Sequence, residues 1–476
     1  MVSPSDQARL AENPLPCYIS SIPPEILSQI MLMCDRDLTI WNEPRRGPPA
    51  GHNIPVRLTQ ICSSWRMVAL DTRELWSSVM LMLNRKLTRN TSAITKFAHY
   101  WLAKGQRGRL GLEIDMGRTD KKHIDLEPIG RLLTAWASDW RTLTIANCPD
   151  SMAEYVIAKM AQSTYPSLEE FELHTFSIVW HTDFDALAAL PRLRTVAFRT
   201  RYTPSPYHDL TLLFLPWSQL ESLSIWAPVT ERECLAVLKN CSELTTLELY
   251  VLSSVHNPEV RLPVVLSKLL RLRLAAYATA WDNTDDIESF LGALHLPMLV
   301  DFDLYLGLGL DSWNPLVSPF WERHAAQLRS LELSNLNFPA DTMRLLFLTM
   351  PNLTLLKLSP RKIPFRAPDF DALRVEQLLP ALTHLDVPVE YERGNQAIDF
   401  IRSVIAFLEA RTVATIGVAR IAQVRFSDRT NWDPVAMTME FQRLRALEAG
   451  GMDVRWIVGG HNVLAFRDTS ICSTHQ

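Results

Sequence analysis

Leu244-Thr-Thr-Leu247-Glu-Leu249, Leu269-Leu-Arg-Leu272-Arg-Leu274, Leu299-Val-Asp-Phe302-Asp-Leu304 and Leu328-Arg-Ser-Leu331-Glu-Leu333 share one pattern. An apolar residue is followed, after two residues of any kind, by a second and, after one more, by a third. Outward from these four, the pattern recurs at Leu353-Thr-Leu-Leu356-Lys-Leu358 and Leu382-Thr-His-Leu385-Asp-Val387. On the N-terminal side it recurs at Leu168, Leu193 and Leu220, and weaker copies stand at Trp140-Arg-Thr-Leu143-Thr-Ile145 and Val413-Ala-Thr-Ile416-Gly-Val418. The first apolar positions are 140, 168, 193, 220, 244, 269, 299, 328, 353, 382 and 413, so neighbours lie 24 to 31 residues apart. The end of each copy alternates apolar and polar, the signature of a short strand with one buried face.

The stretches between copies read as helices. Ser151-Met-Ala-Glu154 and Thr230-Glu-Arg-Glu233 have capping-box spacing ahead of apolar runs, and Asp285-Asp-Ile-Glu288 is similar. Each unit is then a strand followed by a helix. One unit cannot bury its own apolar face, but stacked units form a continuous core. A period in this range suits a leucine-rich repeat, whereas tetratricopeptide or armadillo units are longer and wholly helical. The expected fold is α/β: a solenoid over residues 110–470, with parallel strands on a concave face and helices on a convex one. Eleven strands at ~4.8 Å give a sheet roughly 50 Å long.

Composition bounds the rest. The chain has 476 residues, 47% hydrophobic and 21% charged, with a formal net charge of −4. No basic excess marks a nucleic-acid binder, and no apolar run is long enough to span a membrane. Seven widely spaced cysteines without a CxxC point to a reduced, intracellular chain in the cytoplasm or nucleus. With no metal-ligand spacing, phosphate loop or nucleophile motif in sight, neither enzyme activity nor a cofactor is expected. Gly307-Leu-Gly309-Leu-Asp311 reads as a turn, and Asp282-Asn-Thr-Asp285-Asp286-Ile-Glu288 as a helix cap rather than a calcium loop.

Residues 1–17 read as a disordered tail without a secretory h-region. Residues 18–82 differ from the repeats. Pro23 and Pro24 suit the start of a helix whose inward face is Ile26, Leu27 and Ile30. Leu58, Ile61, Cys62 and Trp65 follow i, i+3, i+4, i+7 spacing, which predicts a second amphipathic helix, and Leu75-Trp76 follows. Residues 35–55, with Pro44-Arg-Arg-Gly-Pro-Pro-Ala-Gly51, read as a surface-loop insertion. So much aliphatic surface on a few short helices suits docking onto something.

Ile22-Pro23, Glu25-Ile26-Leu27, Ile61-Cys62-Ser-Ser-Trp65-Arg66 and Leu75-Trp76 together resemble the F-box. Phe97-Ala-His-Tyr-Trp101-Leu102-Ala-Lys-Gly105, in a linker helix over 83–109, resembles the stretch that joins F-box to repeats in proteins abundant in mushroom-forming fungi. The resemblance implies a substrate adaptor without catalytic activity. The F-box would dock a Skp-type subunit, and through it a cullin–RING ubiquitin ligase, while the repeats hold a protein substrate. Under this reading Pro23, Pro24, Ile26, Leu27, Ile30, Leu58, Ile61, Trp65 and Trp76 are the adaptor-binding residues. The alternative is a repeat scaffold outside any ligase, with these helices serving as an N-terminal cap.

Side-chain alternation directs the residues between buried positions to the face away from the helices. Across the strands this gathers Trp226, Tyr250 and Tyr305, ringed by Glu248, Arg271, Arg273, Asp301 and Asp303. Aromatic anchors inside a charged rim suit a protein-binding surface. Acidic residues outnumber basic ones in this rim, three to two, so a partner bearing Lys or Arg is expected.

Overall fold

A computed structural model describes residues 22–33, 38–40, 54–83, 91–116, 125–175, 185–200, 215–252, 263–276, 285–306, 318–334, 340–359, 367–389, 395–413, 417–428, 438–458, 461–462 and 464. The tail at 1–17, the stretch 44–51, residues 282–284 and the turn expected at 307–311 lie outside them. The architecture is α/β with large runs of parallel strands. The chain divides into two compact units, the first of residues 1–202 and 214–216, the second of 203–213 and 217–476.

The first unit opens with the helices Pro24–Leu32, Ile54–Ile61 and Ser63–Asp71 and a 3-10 turn, Arg73–Trp76. Six strands follow the chain order in its sheet: β1 (Leu38–Ile40), β2 (Ser78–Met82), β3 (Leu110–Asp115), β4 (Trp140–Cys148), β5 (Glu170–Thr175) and β6 (Thr195–Thr200). All of these pairings are parallel. The register puts Leu112, Leu143, Phe171 and Val196 in one buried row and Ile114, Ile145, Leu173 and Phe198 in the next. Phe171 and Phe198 meet edge to face, their centroids 6.2 Å apart.

Two expectations change here. Strand pairing starts well before the expected residue 110, with β1 and β2, and Trp76-Ser-Ser-Val79-Met-Leu81 is itself a copy of the pattern. The helix Thr91–Leu102, expected as a linker, packs against β2. Its Trp101 ring lies 4.5 Å from that of Trp76. Gly105 ends this segment where a Cβ would stand 2.8 Å from the Trp76 carbonyl oxygen, so only glycine fits the approach. The expected 35–55 loop contributes β1, whose Leu38–Ile40 pairs with Val79–Leu81.

In the second unit the strands are β7 (Ser222–Thr230), β8 (Thr246–Leu252), β9 (Val264–Val265), β10 (Arg271–Ala276), β11 (Leu294–His295), β12 (Asp301–Leu306), β13 (Ser330–Ser334), β14 (Leu355–Ser359), β15 (His384–Pro388), β16 (Gln423–Asp428), β17 (Asp453–Val458) and β18 (His461–Asn462). The main sheet runs β7-β8-β10-β12-β13-β14-β15-β16-β17-β18, parallel except for the final pair. β9 and β11 form a separate parallel pair. Leu223, Leu247, Leu272, Phe302, Leu331, Leu356, Leu385, Val424 and Val454 form one buried row. Helices Glu231–Leu238, Asp285–Ala293, Pro319–His324, Ala340–Leu348, Ala367–Val375, Asn395–Ala410 and Thr438–Ala449 alternate with the strands.

The copy expected at Val413 is displaced. The helix Asn395–Ala410 ends only three residues before it, Val413 is exposed, and the copy falls instead at Ile421-Ala-Gln-Val424-Arg-Phe426, whose strand is Gln423–Asp428. Met452-Asp-Val454-Arg-Trp456 adds a further strand outside the expected set. Thr230 does cap its helix: its hydroxyl accepts from the Glu233 N–H at 3.4 Å, and Glu233 accepts from the Thr230 N–H at 3.0 Å. Ser151 does not, because Pro149 occupies the N-cap position and the helix starts at Asp150.

Candidate functional site

Two surfaces, one in each unit, carry the side chains singled out from the sequence. On the first unit, Pro24 opens its helix at N1, where a missing N–H costs nothing. That helix packs against Ser63–Asp71 and the 3-10 turn. Leu27 and Met31 point inward and are buried, as are Leu58 and Trp76. Leu27 and Leu58 therefore belong to the interior of the unit, which corrects their expected place on a docking surface, and Trp76 holds the module together rather than completing that surface. The Trp76 Nε1–H donates to the Ala69 carbonyl at 2.7 Å, and the Lys104 ammonium lies 4.7 Å from the ring centroid.

Pro23 and Pro24 are exposed, and so are Ile26 and Ile30, expected on the helix's inward face, which Leu27 and Met31 form instead; Ile61 is exposed and Trp65 half-buried. Met33, Met67 and Leu70, which the sequence reading missed, are exposed as well, Met33 to 88%. The single helix expected through Leu58, Ile61, Cys62 and Trp65 is broken at Cys62, whose φ of −158° is extended. The Arg66 guanidinium spans the break by donating from Nε to the Thr59 carbonyl at 2.8 Å.

On the second unit the polar face of the sheet is ordered by strand register. Thr246, Arg271, Asp301, Ser330, Leu355, His384, Gln423 and Asp453 form one row. Glu248, Arg273, Asp303, Glu332, Lys357, Asp386, Arg425 and Arg455 form the next. Tyr250, Ala275, Tyr305, Ser334 and Ser359 form a third. Trp226 stands beside them on β7, where the pairing with β8 is interrupted after Ile225.

The expected residues do come together. Glu248 accepts hydrogen bonds on the same oxygen from the Trp226 Nε1–H and the Ser224 hydroxyl, each at 2.8 Å. The Arg273 guanidinium lies 5.5 Å from the Trp226 ring centroid, 3.8 Å from Glu248 and 2.5 Å from Asp303. A tryptophan held by a carboxylate and covered by a guanidinium is fixed in orientation without a partner, which lowers the entropy a contact would cost. Burial pushes the Tyr250 phenol up to about 12, with Tyr305 adding to the shift.

Asp303 sits directly opposite Glu332 on the adjacent strand. Burial and that neighbouring carboxylate raise its carboxyl to about 6, against the pull of Arg273. Lys357 answers Glu332 at 2.6 Å, while Arg425 reaches only to 3.9 Å from Asp386, which accepts from the Ser427 hydroxyl at 3.1 Å. The middle row thus holds as many cations as carboxylates. Over the first and middle rows together, six carboxylates still face five Lys or Arg, so the acidic excess expected from the sequence is confined to the flanking row with Asp301 and Asp453.

Among the described residues, no group of three or more His, Cys, Asp or Glu could hold a metal ion, and no helix is long and apolar enough to cross a membrane. Cys148, Cys234 and Cys241 are buried free thiols, and burial pushes Cys148 up to about 12. In comparisons with known proteins, no family model matches the chain and no curated protein matches it.

Proposed function

We propose that the chain is a non-catalytic recognition adaptor of a Skp–cullin–F-box ubiquitin ligase. In this reading residues 18–82 act as an F-box, and the strand–helix units form an irregular leucine-rich-repeat solenoid whose polar sheet face holds a protein substrate. The observation that carries the docking half is the exposed aliphatic set Ile26, Ile30, Met33, Ile61, Met67 and Leu70 on three short helices. Fully burying a side chain of this size is worth ~1.5–3 kcal/mol, and because these are already partly covered, a partner gains a part of that from each one it buries. The sequence motif through Pro23, Glu25, Ile61, Trp65 and Trp76 supports a Skp-type subunit as that partner.

The test is co-expression with a Skp-type subunit. The wild-type chain is expected to co-purify with it, and Ile26→Asp with Ile61→Asp to abolish this while the melting temperature holds. These exposed positions replace Leu27 as the informative site, because a Leu27 substitution would strike the interior. Co-purification of the double variant at wild-type yield would reject the docking surface.

A second reading has its own observation. β1 pairs with β2, and the 3-10 turn Arg73–Trp76 packs against β2 as well as against Pro24–Leu32 and Ser63–Asp71, which supports a capping role for these helices. A scaffold of this kind, working outside any ligase, would ignore the Skp-type subunit altogether.

A further inference from the structure

The middle row of the sheet in the second unit is neutral in sum but uneven in depth. Its cations Arg273, Lys357, Arg425 and Arg455 keep 41% to 52% of their side-chain surface exposed. Its carboxylates Glu248, Asp303, Glu332 and Asp386 keep only 16% to 24%. Within this row the cations are therefore more accessible than the carboxylates, while Asp301 and Asp453 of the flanking row keep 41% and 46% of their side-chain surface exposed.

Those donors are incompletely used. A guanidinium carries five N–H groups and an ammonium three. Arg273 spends its Nε on Asp303, Lys357 one N–H on Glu332, and Arg455 its Nε and one Nη2 N–H on Asp453, while Arg425 comes no closer than 3.9 Å to Asp386, beyond hydrogen-bond range. We propose that this row binds an extended acidic segment of a protein partner, lying across the strands with carboxylates opposite the four cations. The proposal rests on the reading of this face as the recognition wall and reverses the partner charge expected from the sequence.

Geometry sets the length. Arg273 and Lys357 are three strands apart, Lys357 and Arg425 two, and Arg425 and Arg455 one. At ~4.8 Å per strand these are spans of roughly 14, 10 and 5 Å, about nine residues of extended chain in total. The interleaved carboxylates favour a peptide over a nucleic acid. A phosphate backbone is charged at every unit and would be forced against Asp303, Glu332 and Asp386, whereas a peptide can place neutral residues there. Trp226, Tyr250 and Tyr305 adjoin the Arg273 end of the row, where an apolar residue of the same segment would seat.

The test is selection of displayed random peptides of about twelve residues on the full chain, followed by binding measurements with a synthetic copy of a selected peptide. The expected pool is enriched in Asp and Glu, and its binding weakens with added salt. Arg425→Gln with Arg455→Gln should weaken binding roughly tenfold at an unchanged melting temperature. Lys357→Gln gives an independent second variant.

A pool without acidic bias, an empty selection, acidic peptides that bind both variants unchanged, or a single-stranded oligonucleotide that outcompetes the selected peptide would each overturn the proposal. Among those results, capture that still falls in Trp226→Ala with Tyr250→Ala leaves the wall as the recognition site. Capture insensitive to every one of these variants removes the wall as well.

Discussion

At the scale of single residues, Leu247 and Thr246 are neighbours in sequence with opposite fates. Leu247 is buried in the inward row of the second unit, and Thr246 begins a polar row. Leu247→Ala is expected to cost ~2–5 kcal/mol in chemical denaturation, because a packed interior closes such a cavity only in part. Thr246→Ala should stay within about 0.5 kcal/mol, and equal losses would refute the phasing of the strand. This much was legible in the sequence, since alternation alone separates the two. The role of His324 was not. It is buried, its Nε2 accepts from the Leu296 N–H at 2.9 Å, and its Nδ1 lies 2.8 Å from the Phe320 carbonyl, which it serves as donor. Both nitrogens are committed in the neutral ring, and a second proton would face an N–H. Burial lowers its pKa, with Arg323 and His295 adding to the shift. Because the folded value lies below the unfolded one, the stability held in this group is complete above ~6.5 and is lost as pH falls from there through the folded value. Its imidazole resonances in an NMR titration should therefore move only below ~6.5; a midpoint at that value would contradict the assignment.

At the scale of elements, the sequence and the structure part where the repeat signal competes with something else. The copies from Leu168 to Leu382 were legible because Leu dominates all three apolar positions. β2 was hidden by Trp76, which serves the N-terminal helices and the first strand at once, so its motif was credited to the former alone. Val413 drew the eleventh copy forward by eight residues, because Val413, Ile416 and Val418 fit the pattern while the long helix before them set the real spacing. The break at Cys62 was illegible for a different reason: an extended φ in one residue leaves the apolar spacing intact. Capping shows the same limit. Thr230 and Ser151 have identical motif spacing, but only Thr230 stands at an N-cap, since Pro149 holds that position in the other helix. Thr230→Ala should cost ~1 kcal/mol in thermal or chemical unfolding, and Ser151→Ala should remain within about 0.5 kcal/mol. A comparable loss at Ser151 would show that the helix begins later than Asp150.

At the scale of the whole molecule, each unit is described by its own core, and each carries one candidate surface. The N-terminal surface was half legible: the motif identified the helices, but burial reassigned Leu27, Leu58 and Trp76 to the interior and added Met33, Met67 and Leu70 outside. The sheet face was legible in its membership and illegible in its charge, because depth, not count, decides which sign a partner meets. A division of labour between the surfaces follows, with docking on one and recognition on the other. Hydrogen–deuterium exchange of the full chain with and without a Skp-type subunit tests this most directly. The account predicts slowed exchange on binding at residues 24–33 and 54–71, with the strands Thr246–Leu252, Arg271–Ala276 and Asp301–Leu306 unchanged. Protection on those strands, or no protection anywhere at concentrations where the two are mixed in excess, would contradict it.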